Sequence, residues 1–248
     1  MHEVMTSQFW LGLGAIIWVN IILSGDNAVV IALAARSLPE KQQKQAVFWG
    51  AAAAVLLRIV LTLVAVELLR LPYLKLVGGA LLFWIALKLL IPEDDGGDDV
   101  TSSSHLIGAI KTILIADLVM SLDNVIAVAA VAKGSFMLLV LGLLISIPLV
   151  VYGATMLMRL MDRYPAIITV GAALIGFVAG EMAVTDPVVI GWFERSAHWM
   201  IDLEVLSLSG YKLEVSVAGL IGAVLVVVVG KWLAQRKQTK SEGRTART

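Results

Sequence analysis

Long apolar runs separated by short polar punctuation fill most of the chain, at about residues 9–35, 46–69, 73–91, 106–132, 135–158, 165–184 and 213–233. Roughly 20 mostly apolar residues make a helix long enough to cross a bilayer, so the pattern predicts seven transmembrane helices. The first and fourth runs are longer than a bilayer demands, and those helices should tilt, bend or break. Two connections are long. Residues 92–104 hold Pro92, Glu93, Asp94, Asp95, a Gly-Gly pair, Asp98, Asp99 and three serines, the composition of an acidic loop. Residues 185–212 mix Trp192, Phe193 and Trp199 with charges and suit a segment lying in the headgroup layer.

The polar residues inside these runs repeat. Asn20, Ser24, Asp26 and Asn27 in the first helix recur 97 residues later as Asp117, Ser121, Asp123 and Asn124 in the fourth. The third helices echo each other through Gly78-Gly79 and Gly171-Ala172, 93 residues on, and the second helices match loosely through Gly50 and Gly142. Each copy has three helices, and an odd number makes the second copy enter the membrane from the opposite side. The expected fold is an all-α membrane protein of two inverted three-helix repeats plus a C-terminal helix. Residues 1–91 form the first repeat, 92–104 an acidic cytoplasmic loop, 105–184 the second repeat, 185–212 an interfacial loop, 213–233 the seventh helix and 234–248 a basic cytoplasmic tail. Inverted repeats are an architecture of secondary transporters, whose substrate sites lie near the midplane between the copies.

Charge adds an orientation. Lys and Arg gather at Arg36, Lys41, Lys44, Arg159, Arg163 and the C-terminal tail, against Arg70, Lys75, Lys133, Arg195 and Lys212 on the other side. The positive-inside rule then puts the C-terminus in the cytoplasm and the N-terminus outside, in the cell (inner) membrane. The N-terminus lacks a basic leader region and its apolar run exceeds a signal peptide's, so the first helix should stay in the bilayer. Residues are 59% hydrophobic and 15% charged with zero formal net charge, which leaves no basic field for nucleic acid. With no cysteine, any metal must be held by oxygen or imidazole, and His2, His105 and His198 all fall outside the apolar core of the runs.

A carboxylate in mid-span costs about 2.5–3.5 kcal/mol on insertion scales, so Asp26, Asp117 and Asp123 need a compensating partner. Together with the amides of Asn20, Asn27 and Asn124 they make an oxygen-rich, sulfur-free set, joined by the hydroxyls of Ser24 and Ser121 as accessory donors. Such donors suit a hard divalent ion, Mn²⁺, Ca²⁺ or Mg²⁺, carried as the transported ion rather than held as a prosthetic group. Carboxylates brought together repel, so an empty site would hold a proton that metal entry expels, which makes cation/proton exchange chemically natural. At about 100° per residue, Asp26 and Asp123 sit away from their neighbouring asparagines. A break at Ser24-Gly25 would turn Asp26 inward and free carbonyls as ligands, whereas Leu122 in the second copy gives no such signal. Arg58 lies mid-span in the second helix and must also be paired, either as a structural counter-ion to Asp117 or Glu181 or as a stand-in for the absent cation.

An intramembrane aspartyl protease, which would be an enzyme, needs glycine where this chain has Leu23. An exporter of another small cationic solute, its ammonium group on Asp26 and Asp123, is a nearer alternative, as is an accessory protein of metal homeostasis. Lipid, the ion and protons are the expected partners, with room for a homodimer.

The Leu-Ser-Gly-Asp-Asn-Ala of residues 23–28, the Ser-Leu-Asp-Asn-Val of 121–125 and Arg36-Ser37-Leu38-Pro39 resemble the TerC family, within the broader group of exporters related to LysE. The resemblance covers residues 9–184. It implies a multi-pass membrane protein tied to manganese export or metal homeostasis and, for some members, tellurium resistance. It carries the family's Asp-Asn pairs onto Asp26-Asn27 and Asp123-Asn124, and the preceding polar residue onto Asn20 and Asp117.

Overall fold

A computed structural model describes residues 7–68, 71–91, 102–132, 135–201, 203–208 and 211–245. Its helices are α1 (Ser7–Leu23), α2 (Gly25–Ala35), α3 (Glu40–Leu68), α4 (Leu74–Leu90), α5 (Ser102–Ala132), α6 (Phe136–Arg163), α7 (Ala166–Val184), α8 (Ile190–Ser196) and α9 (Val217–Thr245). Among the described residues, α3, α5, α6, α7 and α9 each contain a stretch long and apolar enough to cross a membrane, and α1 with α2, bent by 49°, makes a sixth. The seventh expected span, α4, has 17 residues, the lower limit for crossing. Leu11, Trp18, Leu63, Val224 and Val228 stand exposed along these helices, as side chains facing hydrocarbon do.

The fold is all-α as expected, with one short hairpin added between the sixth and last long helices. Strand β1 (Leu203–Leu208) pairs antiparallel with β2 (Tyr211–Val215), with a register irregularity between Glu204 and Leu206. The cause is local: an alternating segment, a Ser-Gly at 209–210 and a second alternating segment form a hairpin signal. Helix α9 also runs on through the expected tail as far as Thr245, since Lys, Gln and Arg are good helix formers. Arg236 lies 3.8 Å over the Trp232 ring, one turn back. The acidic loop at 92–104 falls almost entirely outside the described residues.

The chain divides into two compact units. In the first, α1 and α2 pack on α6, α3 packs on α5, and α2 meets α5. Its core joins Ile16, Val55, Val128, Leu139 and Leu143. Two glycines let the backbones close up. A side chain at Gly50 of α3 would meet Ile113 of α5, and one at Gly142 of α6 would meet Ile16 of α1. Ile16 and Ile113 are 97 residues apart, the spacing of the polar repeat.

In the second unit α7 packs on α4 and α9, again through small residues. A Cβ at Gly79 would lie 2.7 Å from the Ala179 carbonyl, and one at Gly176 would lie 2.7 Å from that of Gly222. The start of α4 is pinned by Asp186, fully buried beyond the end of α7. Its carboxylate accepts from the backbone N–H groups of Tyr73 (3.2 Å), Lys75 (3.1 Å), Leu76 (3.2 Å) and Val188 (2.9 Å). Tyr73 itself holds a left-handed backbone, φ 66°, a conformation a non-glycine residue adopts at some strain. Burial alone would raise the Asp186 carboxyl, but those four donors outweigh it and hold the group below the ordinary carboxylate value.

Candidate functional site

The site lies wholly within the first unit, where the two polar motifs come together. Helix α1 stops at Leu23, and Ser24, with φ −105° and ψ 2°, leaves the helical path before α2 begins. The Ser24 carbonyl still receives the Ala28 N–H at 2.9 Å. The Asn27 N–H, which a continuous helix would send to Leu23, is taken instead by the Asp26 carboxylate at 2.8 Å. The Leu23 carbonyl is thereby left for side chains, and it accepts from Asn27 Nδ2 at 3.2 Å and Asn124 Nδ2 at 3.3 Å. One backbone oxygen serves the asparagines of both copies. Helix α5 runs unbroken through Ser121 and Leu122, so only the first copy is interrupted.

One turn toward the start of these helices sits a second layer. Arg58 of α3 is 4% exposed. Its Nη2 donates to Asp117 Oδ1 at 2.6 Å, and its Nη1 donates to Asn20 Oδ1 at 2.9 Å and Ser24 Oγ at 3.3 Å. Ser24 Oγ donates to Asn20 Oδ1 at 3.4 Å, and Ser121 Oγ donates to Asp117 Oδ2 at 3.2 Å. Asn20-Ser24 and Asp117-Ser121 are thus closed by the same bond in each copy, and the guanidinium bridges them. Of the two counter-ions that the sequence offered Arg58, the ion pair is with Asp117. Glu181 lies exposed on α7, in the second unit.

A cavity of about 20 Å³ lies against this layer, lined by Asn20, Ser24, Asn27, Arg58, Asp117 and Ser146 among others. That is room for about one water or one bare ion. Three buried polar atoms here lack a partner: Asn20 Nδ2, Asn27 Oδ1 and Arg58 Nε. Native proteins leave few such atoms dry, and a water in the cavity, accepting from the two N–H groups and donating to Asn27 Oδ1, would satisfy them. Ser146, whose Oγ donates to Leu143 O at 2.6 Å, was not anticipated, because the sequence shows it only as one of several hydroxyls, with Tyr152 and Thr155, in the apolar run of α6. If Gly50 and Gly142 are equivalent, the counterpart of Arg58 is Val150, which also lines the cavity. The guanidinium therefore breaks the likeness of the copies.

The carboxylates are not gathered into a finished metal centre. Among the described residues no three carboxylate or imidazole side chains cluster as ligands. Asp26 is half-buried at the first turn of α2, and it does not line the cavity. Asn124 is half-buried on α5, and the side chain of Asp123 lies outside the described residues.

Residues 5–240 match the model of the integral membrane protein TerC family. The chain belongs to that family. With several helices apolar enough to span a bilayer, it is a multi-pass integral membrane protein of the TerC type. It is similar to the uncharacterized membrane protein YjbE of Bacillus subtilis, 43% identical over 182 residues, or 73% of this chain and 83% of that one. A second Bacillus subtilis membrane protein, YceF, is 28% identical over 191 residues, 73% of this chain and 74% of that one. The UPF0053 inner membrane protein YgdQ of Escherichia coli is 26% identical over 175 residues, 64% and 73% respectively. No solved structure matches the chain.

Proposed function

We propose that this TerC-family protein exports a divalent metal cation, Mn²⁺ before Ca²⁺ or Mg²⁺, in exchange for protons, holding the ion in mid-membrane between the broken first span and α5. The observation that carries the reading is the pairing of Asn20-Ser24 with Asp117-Ser121 around a cavity of ion size. An ionisable side chain buried inside a span, as Asp117 is, points by default to a functional site. Three further features support it. The freed Leu23 carbonyl is the kind of backbone ligand that broken helices supply in transporters. When ionised, Asp26, Asp117 and Asp123 less Arg58 leave two negative charges, which one divalent cation neutralises. The packing of α3 on α5 and of α1 on α6, with Gly50-Ile113 matched by Gly142-Ile16, is what two inverted three-helix copies would produce.

Arg58 gives the exchange a physical basis. Its guanidinium donates to the same oxygens of Asn20, Ser24 and Asp117 that a cation would need. An entering ion must compete with it, and release of the ion lets the arginine return, so the buried carboxylate is never left bare. Because Arg58 is already committed to Asp117, it does not offer itself to a substrate carboxylate, which favours a bare cation over an amino acid. The orientation in the inner membrane follows the basic residues, with the C-terminus cytoplasmic.

Purified protein in proteoliposomes, loaded with a metal-sensitive dye and separately with a pH dye, tests the reading. Mn²⁺ flux with opposite proton flux is expected, reduced at least tenfold by Asp26→Asn and by Asp123→Asn, with Lys88→Gln unchanged. Absence of metal flux would overturn the reading, flux that survives both aspartate substitutions would remove Asp26 and Asp123 from the ion's path, and metal flux with no proton movement would remove the exchange.

A further inference from the structure

A second concavity in the first unit has no part in the ion site. It is open to the surface, about 470 Å³ in volume, and lined chiefly by Phe48 of α3 and by Pro148, Val151, Tyr152, Met156 and Arg159 of α6. Such a volume lies within the range of sites that hold small organic ligands. Its α6 residues fall on one stripe, eleven positions from Pro148 to Arg159, which at the rise of a helix is about 16 Å. That is the depth of one leaflet, half of a hydrocarbon core ~30 Å thick. One end of the groove is apolar. The other carries Arg159, exposed and, among the described residues, in no ion pair or hydrogen bond.

Cations outnumber acids around that end, the acids being Asp162, three positions after Arg159, and Glu40, one turn before Lys44. Arg163 follows Arg159 by one turn of α6, and Lys44 precedes Phe48 by one turn of α3, so each lies on the groove's side of its helix. Arg163 is stacked on Tyr164, 5.7 Å from the ring centroid, which leaves Arg159 as the cation facing the groove. Lipid tails are as apolar as these side chains, so an acyl chain gains little merely by leaving bulk lipid for the groove. Preference must come from the headgroup end, where a guanidinium meets phosphate bidentately and favours a lipid whose phosphate charge is not cancelled by an ammonium.

We propose that the groove between α3 and α6 is a binding site for one phospholipid with an anionic headgroup, its phosphate on Arg159 and an acyl chain lying along Val151 and Tyr152 toward Pro148. The site is independent of the ion the protein carries. A basic residue at the membrane surface strengthens binding of anionic lipid about fivefold, and that is the preference expected here.

The test is native mass spectrometry of the full-length protein, released from detergent with added phosphatidylglycerol or phosphatidylcholine of identical acyl chains. Wild type should retain one phosphatidylglycerol about fivefold more than phosphatidylcholine. Arg159→Gln, at an exposed position that the fold does not need, should equalise the two lipids. The charge-loss control is Lys88→Gln on α4, which should keep the preference. A Tyr152→Ala variant, which shortens the wall of the groove, should weaken retention of both lipids. Equal retention by wild type would mean ordinary annular lipid and overturn the proposal, as would a preference that survives Arg159→Gln. Release of the bound lipid whenever two copies associate would give the groove to a second protein chain instead.

Discussion

Removing the Arg58 guanidinium is the sharpest perturbation the first unit offers. The ion pair with Asp117 is nearly dry, its side chains 4% and 6% exposed, and the contact is 2.6 Å. Arg58→Met keeps most of the side chain's length but leaves Asp117 with Ser121 as its remaining hydrogen-bond donor, leaves Asn20 Oδ1 with only the Ser24 hydroxyl, and strips Ser24 of its donor. Breaking one side of a buried pair typically destabilises by about 3–5 kcal/mol, because a charge is left uncompensated. For a chain of this size each kcal/mol lowers the melting temperature by roughly 2–4 °C, so a fall of about 6–20 °C is expected in a thermal melt of detergent-solubilised protein. The double variant Arg58→Met with Asp117→Leu removes both charges and should recover to within about 1 kcal/mol of wild type, since apolar replacements of buried pairs are often neutral. The cycle also addresses the ion. With no guanidinium in competition, Mn²⁺ should restore more stability to Arg58→Met than it adds to wild type, up to about 2.7 kcal/mol at a hundredfold excess over its dissociation constant. A melt for Arg58→Met within 2 °C of wild type would refute the reasoning, because it would mean that Asp117 does not depend on the arginine.

Two further outcomes follow from the packing. Gly50→Ala and Gly142→Ala should each destabilise by about 1–3 kcal/mol through overpacking. The larger effect is expected at Gly142, where the new methyl meets Ile16 close to its backbone, whereas Gly50 meets the far end of Ile113. Ile16→Ala should rescue only Gly142→Ala, read by thermal melts; rescue of the wrong glycine would break the matched contacts. Asp186→Ala should release the start of α4 at about 2–3 kcal/mol, for loss of hydrogen bonds to a charged acceptor. Because the folded carboxyl titrates below its ordinary value, its contribution is whole above about pH 4 and fades as pH falls through the lower folded value. Melts of wild type from pH 7 to pH 3 should therefore show an acid-sensitive component that the variant lacks.

Much of this was legible in the chain because membrane helices are written in long apolar runs. The helices follow those runs, and the Ser24-Gly25 pair marked the bend because serine and glycine tolerate a non-helical residue there. Asn20 and Asp117, which match in the polar repeat of the sequence, meet through Arg58. What escaped depended on partners distant in sequence. Asp186 reads as a loop carboxylate, and only folding brings it to Tyr73, more than a hundred residues earlier. The hairpin at 203–215 was hidden by composition, since its aromatic and charged surroundings suit the headgroup layer equally well. Helical phase correctly set Asp26 apart from Asn27, but it could not show that the Asp26 carboxylate would take its neighbour's N–H.

The oxygen at the bend belongs to a peptide bond. Replacing Leu23 with any other residue leaves that atom where it is, so a scan of side chains across this segment would pass over it in silence. Its availability is governed from a distance, by whatever keeps Ser24 off the helical path and by the two amides that now hold it. Evolution could tune such an atom only indirectly, by adjusting the kink, and a chemist could remove it only by editing the main chain itself, for instance with an ester in place of the amide.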